Sequence, residues 1–251
     1  MDRITFLGIP VDLLTLEETV ARAETAMAGD RPIRHVALNV AKLVNLRSDT
    51  DLARDVGQSD IVGIDGMGIV WALKLFGVSS AKRVAGIDLM FALMAHCART
   101  GRRPYVLGAR QEVLDEALDN ARARYPGLEF AGSRNGYFTA ADEEAIVAAI
   151  RESRADCLFV AMPTPHKERF LARHGHALGV PFVMGVGGSI DVLAGHISRA
   201  PAWMQAAGLE WFHRLAKEPR RMAGRYLRTN SLFFMILLSE WIRGRKPVRT
   251  S

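Results

Sequence analysis

Asp65 closes the apolar run Ile61-Val62-Gly63-Ile64 and is followed by Gly66-Met67-Gly68. A carboxylate at the carboxyl end of a strand, beside glycines that let a substrate come close, is placed to act as a general base. Asp is also a favoured helix N-cap, so Asp65 carries two readings, base and cap. A second cluster, Gly185-Val186-Gly187-Gly188-Ser189, follows a strand-like run and opens a helical one. Glycines there let a phosphate approach the backbone, and free amides at a helix start favour negative charge. The other reading is a tight strand-to-helix turn. The chain contains neither a GxGxxG fingerprint at this point nor a P-loop. Arg221, Arg225 and Arg228 are spaced four and three apart, one stripe along a helix. Arg214 joins that stripe only if the helix runs unbroken through Pro219. Arginine suits bidentate phosphate contacts; a solvated basic face is the alternative.

Other combinations point away from chemistry. Asp49-Thr50-Asp51 has the spacing with which some sugar-nucleotide enzymes hold a divalent ion, but it lies between two helical segments, where a cap is the better reading. His174 and His176 are two apart and point to different sides of a helix. No HExxH, Cys/His cluster or GxSxG elbow is present, so no metal site is expected. Cys97 and Cys157 sit in separate apolar runs and read as buried thiols of a reducing compartment.

The elements that position these residues alternate. Strands are expected at Ile4–Ile9, His35–Leu38, Asp60–Ile64, Pro104–Leu107, Leu128–Ala131, Cys157–Met162 and Phe182–Val186. Helical patterns lie between them, the first opened by a Thr15/Glu18 capping box and another capped by Thr139. Such alternation predicts an α/β fold: a mostly parallel sheet with helices on both faces. Ligands of these sheets bind beyond the carboxyl ends of the strands. The positions to watch are therefore Asn39, Asp65, Gly108, Gly136-Tyr137, Pro163–Glu168 and Gly185–Asp191.

The chain has 251 residues, 49% hydrophobic and 24% charged, which excludes a disordered or collagen-like protein. Its net charge of +6 is concentrated at one end. Residues 201–251 hold ten Lys/Arg against three Glu, a net +7, leaving −1 for the first 200. The most apolar run, Leu232–Leu238, lies among these cations. It falls short of the about 20 apolar residues that cross a bilayer. A basic helix bearing Phe, Leu, Ile and Trp reads as a membrane-surface element. Nucleic acid, the competing partner of a basic tail, gives no reason for seven consecutive apolar residues. The opening MDRITFLGIPVDLL lacks the features of a signal peptide. Two units are expected: an α/β catalytic domain over 1–200 and a basic, apolar helical appendage over 201–251.

These stretches resemble a known family. Leu38-Asn39-Val40-Ala41-Lys42-Leu43, Asp65-Gly66-Met67-Gly68, Arg83-Val84-Ala85-Gly86-Ile87-Asp88-Leu89 and Asn135-Gly136-Tyr137-Phe138 carry the resemblance. So do Val186-Gly187-Gly188-Ser189-Ile190-Asp191, Arg199-Ala200-Pro201, Gly208-Leu209-Glu210-Trp211, Arg214-Leu215 and Glu218-Pro219-Arg220-Arg221. Together they resemble the WecG/TagA/CpsF glycosyltransferases, glycosyltransferase family 26, over nearly the whole chain, and the resemblance implies a single Rossmann-like domain with a C-terminal helical, membrane-associating appendage. The resemblance implies inverting, cofactor-free transfer of a hexose or N-acetylhexosamine (ManNAc-, ManNAcA- or Glc-type). The donor is a UDP-sugar and the acceptor a sugar on a polyprenyl diphosphate. The reaction is placed at the inner face of the cytoplasmic membrane, in cell-surface polysaccharide synthesis. It assigns Asp65 as general base with Asn39 and Arg83 beside it, and Tyr137 and Asp191 as nucleoside contacts. Gly187 and Gly188 become the diphosphate turn, and Arg214, Arg221 and Arg225 the appendage arginines that meet diphosphates. Two positions depart from the family pattern: Ala37 stands where Thr is frequent, and Lys167 where Gln is usual. An ammonium cannot accept a hydrogen bond as an amide can, so Lys167 is expected to alter how the donor is read. A homo-oligomer is left open.

Two rival functions remain on the residues alone. A Rossmann-type oxidoreductase requires GxGxxG after its first strand, where this chain has Pro10-Val11-Asp12. A non-catalytic membrane-docking module explains the tail but not Asp65, Asn39 and Arg83 at strand ends.

Overall fold

The computed structural model describes residues 2–29, 31–244 and 247–249, apart from the side chains of Arg221 and Arg249. The chain opens with a hairpin, β1 (Arg3–Phe6) and β2 (Ile9–Asp12), where the sequence suggested one strand over Ile4–Ile9. Leu7 (φ 55°) and Gly8 (φ 82°) turn the chain inside a run whose hydropathy gives no sign of a break.

After α1 (Leu16–Met27) come β3 (Ile33–Leu38), α2 (Val40–Leu46), α3 (Thr50–Gly57), β4 (Ile61–Ile64), α4 (Met67–Leu75) and α5 (Gly86–Thr100). The second half runs β5 (Pro104–Gly108), α6 (Gln111–Arg124), β6 (Gly132–Arg134), α7 (Glu143–Ser153), β7 (Cys157–Ala161), α8 (His166–His174), β8 (Phe182–Gly185) and α9 (Ser189–Leu193). The C-terminal part holds α10 (Ala202–Ala206), α11 (Glu210–Lys217), α12 (Pro219–Ile242) and β9 (Val248–Arg249). Thr15 and Glu18 form the expected capping box of α1, and Pro219 sits in the first turn of α12.

The six-stranded sheet has order β4-β3-β8-β7-β5-β6 with every pairing parallel. The fold is thus the expected α/β architecture. One strand is displaced from its predicted place: Leu128 is buried in the core instead of pairing, and β6 begins at Gly132 beside Tyr105.

Helices α1, α5, α6 and α9 bury one face of the sheet, around Phe159, Phe182 and Met184. The other face is covered by α2, α3 and α4 around Leu38 and Ile64, and by α7 and α8 around Leu158 and Phe170. β5 sends its chain to α6 on the first face, whereas neighbouring β7 sends its chain to α8 on the second. β8 and β3 diverge in the same way, through α9 and α2. Each divergence opens a crevice at the carboxyl edge, where open α/β sheets bind ligands.

The C-terminal helices return to this edge. One side of α12, carrying Met222, Tyr226, Thr229, Phe233 and Glu240, is turned inward, and Phe233 with Leu232, Ile236 and Leu237 joins the core around α2. β9 then pairs antiparallel with β1, giving a small sheet of order β2-β1-β9.

Candidate functional site

Asn39 and Asp65 follow β3 and β4, which are paired in register from His35↔Ile61 to Leu38↔Ile64. The Asp65 amide extends that ladder by donating to the Leu38 carbonyl at 2.9 Å. Gly66 is pressed on Asn39: a Cβ there would lie 3.3 Å from the Asn39 Cβ. Asn39 caps α2, its Oδ1 accepting from the Lys42 amide at 3.0 Å. Asp65 does not cap the helix that follows it, because the N-cap of α4 is Gly66. Its Oδ1 instead accepts from the Gly86 amide at 3.0 Å, at the start of α5. Arg83 completes the group, its Nε donating to the Asp65 backbone carbonyl at 2.8 Å.

Below these residues lies a buried ionic cluster. Lys42 Nζ is 2.7 Å from Glu168 Oε1, with both side chains almost wholly withdrawn from water. Lys167 Nζ donates to Thr164 Oγ1 at 2.7 Å and lies 3.3 Å from the same Glu168 oxygen. Thr164 Oγ1 donates to that oxygen at 3.1 Å, while Glu168 Oε2 is buried without a partner among the described residues. Two ammonium groups share one carboxylate. Burial first, and Lys42 second, push the Lys167 pKa down to about 8, against the opposing pull of Glu168 and Asp65. Burial drives Glu168 upward, but Lys42 and Lys167 outweigh it and hold the carboxyl below its usual range. The Lys167 stem crosses Gly185 closely enough that a Cβ there would meet it at 2.8 Å.

The second crevice is lined by backbone. Gly108 has φ 132°, and a Cβ on it would fall 2.4 Å from the Ala161 carbonyl carbon, so only glycine fits between β5 and β7. Gly136 packs on Gly108 and donates to the Ala109 carbonyl at 2.9 Å. The Asn135 side chain accepts from the Tyr137 amide at 3.1 Å. Tyr137 is 70% exposed, its hydroxyl accepting from Arg110 Nε at 3.4 Å. Arg110 starts α6, and Tyr137 and Asp191 both favour its charge. Gly187 (φ 50°) and Gly188 lead into α9, and the Asp191 carboxylate lies over Gly188. This crevice offers an exposed aromatic ring, an arginine and a glycine turn, the parts that a nucleoside diphosphate engages.

The description "Glycosyl transferase WecG/TagA/CpsF family" matches residues 4–247, nearly the whole chain. The chain belongs to this family. It is therefore a glycosyltransferase of cell-surface polysaccharide synthesis, and membership implies a nucleotide-sugar donor and a sugar acceptor.

In this glycosyltransferase the residues singled out from the sequence fall into two groups and a remainder. Asn39, Asp65, Arg83 and Lys167 gather at the first crevice; Tyr137, Gly187, Gly188 and Asp191 gather at the second. Arg214 is exposed on α11. Arg225 is exposed on α12, where it donates to Met222 Sδ at 3.1 Å and lies over the Tyr226 ring. The backbone bends at Glu218 (φ −128°, ψ 60°), so Arg214 is not on the stripe of Arg225 and Arg228. The Arg221 side chain, like Arg245 and Lys246, lies outside the described residues.

Asp49 caps α3 through the Leu52 amide at 2.9 Å and pairs with Arg169, and Asp51 pairs with Arg54. No group of three or more His, Cys, Asp or Glu side chains converges among the described residues. The two cysteines are buried with sulfurs 4.0 Å apart.

Reading the sequence did not give roles to Lys42, Arg110, Thr164 or Glu210. Lys42 was visible three residues after Asn39, on the inward side of a helix. Glu210 stands in the Gly208-Leu209-Glu210-Trp211 stretch, but its partner Arg83 is 127 residues away.

Proposed function

We propose that this glycosyltransferase moves a hexose or N-acetylhexosamine from a UDP-sugar to a sugar carried on a polyprenyl diphosphate, with inversion. The observation that carries the reading is the meeting of Asn39, Asp65 and Arg83 at adjacent strand ends, next to a crevice suited to a nucleoside diphosphate. In this mechanism the Asp65 carboxylate takes the proton of an acceptor hydroxyl while that oxygen attacks the anomeric carbon from the face opposite the diphosphate. The C–O bond to UDP breaks with its electron pair, and charge builds on the leaving phosphate. Lys167, Arg110 and the amides around Gly187-Gly188 are groups of this sheet edge able to stabilise it. Asn39 orients the acceptor through its amide group. Tyr137 and Asp191 hold the nucleoside, and Arg214, Arg221 and Arg225 meet diphosphate oxygens from the C-terminal helices.

The same helices supply membrane attachment at the inner face. No described helix is long and apolar enough to cross a membrane. The side of α12 turned away from the core exposes Leu227, Phe234, Met235, Leu238, Trp241 and Ile242. Trp203, Trp211 and Phe212 are exposed on α10 and α11. Apolar side chains beside a net +7 segment fit the surface of an anionic leaflet, where each cation contributes about 1 kcal/mol.

A panel of UDP-sugars with a water-soluble sugar-diphosphate acceptor tests the chemistry, the product's anomeric configuration being read by NMR. A β-linked product from a UDP-α-sugar supports the reading; a retained α-linkage or transfer from none of the panel defeats it. Sedimentation with anionic vesicles tests the second half. Binding should weaken in high salt, and Phe234→Ser with Trp241→Ser should lower it about 10-fold or more, since each removes a large interfacial side chain. Unchanged binding of that double variant would rule out this face as the membrane contact.

A further inference from the structure

The carboxylate of Glu210, at the start of α11, accepts from Arg83 and has its other oxygen 3.6 Å from Arg199 Nε. Arg83 in turn donates to the Asp65 carbonyl. Arg199 pairs with Asp88 through NH1 at 2.7 Å and NH2 at 2.8 Å. Asp88 lies in the first turn of α5, the helix whose leading amide, Gly86, holds Asp65 Oδ1. The contacts close into a ring: both the carbonyl and the carboxylate of Asp65 are fixed by groups that lead back to Glu210.

Packing presses the same elements together. Gly208 (φ 72°), at the corner before α11, sits on Met67, and a Cβ there would meet the Met67 Cγ at 2.6 Å. Phe233 of α12 reaches the neighbourhood of Gly68 and Val40. Trp211 joins α11 to Tyr226 of α12 edge-to-face, with ring centres 6.2 Å apart. The loop after Asp65 is therefore walled by the C-terminal helices. Glu210 is the carboxylate that these helices bring to Arg83.

We propose that Glu210 is a positioning residue: by its hydrogen bond to Arg83 and its ionic contact with Arg199 it sets the Asp65 loop, so that the docked C-terminal helices hold the reaction geometry. This rests on the reading of Asp65 and Arg83 given above. Two guanidinium groups, Arg83 and Arg199, are matched by two carboxylates, Glu210 and Asp88. Arg83 is thereby held as a strut under Asp65 rather than left as a free cation. Removing the Glu210 charge leaves the fold intact but loosens the strut.

The test compares the full-length protein with Glu210→Gln and Glu210→Asp by hydrogen exchange and by kinetics. In Glu210→Gln the amides of residues 83–88, Gly86 above all, should exchange about tenfold faster or more, the factor set by losing a charge-assisted hydrogen bond. Turnover should fall about 10- to 100-fold, as small misplacements at a reacting centre do. The KM for the nucleotide sugar should move less than about threefold, because uniform binding is untouched. Glu210→Asp should recover part of both losses. Arg83→Ala should remove most of the effect of Glu210: adding Glu210→Gln to it should cost clearly less than the same change costs in the wild-type protein, since residues acting through one another are not additive. Arg83→Gln, which also removes the cation, takes its place if the alanine variant fails to fold. Unchanged exchange at 83–88, or fully additive losses, overturns the proposal. If the wild-type protein transferred no sugar, the functional reading would fall, while the exchange at Gly86 would still decide whether Glu210 holds the Asp65 loop.

Discussion

At the carboxyl ends of β3 and β4, polar side chains hold one another. Asn39 caps α2, Arg83 holds the Asp65 carbonyl, and Lys42 and Lys167 close on Glu168 out of reach of water. At β5, β6 and β8 the wall is mostly backbone, with Gly108 wedged against Ala161 and Tyr137 standing in solvent. The first crevice is cross-linked by its own side chains; the second offers a backbone surface and a few exposed side chains. A reacting centre gains from fixed geometry, because misplacement acts directly on the transition state. A nucleotide pocket needs close approach of phosphate to backbone, which glycines give. Substitutions in the first crevice should therefore act on turnover, and those in the second on binding.

The largest effect expected is at Asp65. Asp65→Asn keeps the acceptor oxygen for Gly86 but cannot take a proton. Turnover should drop about 10²–10⁴-fold, the usual worth of a general base, while UDP affinity by calorimetry stays within about twofold. Near-normal turnover would reduce Asp65 to an anchor for α5 and leave the first crevice without its base.

Next comes Gly108. Its positive φ and the 2.4 Å approach to Ala161 leave no space for a side chain. Gly108→Ala should cost about 2–4 kcal/mol from backbone strain and overpacking together, read as a lower urea midpoint. An unchanged midpoint would show that β5 and β7 can part without cost, and that the second crevice is softer than the contact of Gly108 with Ala161 indicates. Tyr137 sharpens the contrast from the other side. Exposed as it is, Tyr137→Ala should leave stability alone and raise the donor KM about 10-fold, the scale of one base–aromatic stack. A loss in turnover with KM unchanged would place Tyr137 in the reacting group.

How far the sequence could carry this picture depends on the distance between partners. Local signals held: the Thr15/Glu18 box opens α1, Asp49 caps α3, and Pro219 starts α12. Strand ends could be found from hydropathy, which is why Asn39, Asp65 and Tyr137 were visible as candidates. The hairpin at Leu7-Gly8 was hidden because both of its strands are apolar on their buried sides. β9 pairs with β1 across almost the whole chain, and such pairing leaves no local mark. The charged clusters were invisible for the same reason. Lys42 meets Glu168, and Glu210 meets Arg83, only once the fold is made. His35 shows the same limit: nothing near it in sequence says that it is fully buried beside Phe182, with burial and then Lys42 driving its pKa down to about 4.

Lys167 gives the smallest effect and the finest test, because it belongs to the first crevice while its stem crosses Gly185, which leads into the glycine turn of the second. Its ammonium is charged below a pKa of about 8 and neutral above it. If that charge faces the donor, kcat/KM should fall as pH rises through about 8. Lys167→Gln is neutral at every pH and should lose this alkaline limb while changing the rate at neutral pH by less than about 10-fold, the worth of one exposed-to-ligand hydrogen bond. Stability moves the other way. In the unfolded chain this lysine titrates near 10.5, so between about 8 and 10.5 the unfolded state binds the extra proton. Unfolding free energy rises with pH wherever the unfolded state holds more protons. Across that window the wild-type protein should gain stability relative to Lys167→Gln, read from urea midpoints, while it loses activity. An alkaline limb that persists in Lys167→Gln would assign it to another group. Midpoints that run parallel in the two proteins would mean that Lys167 is better solvated than its contacts with Thr164, Glu168 and Gly185 indicate.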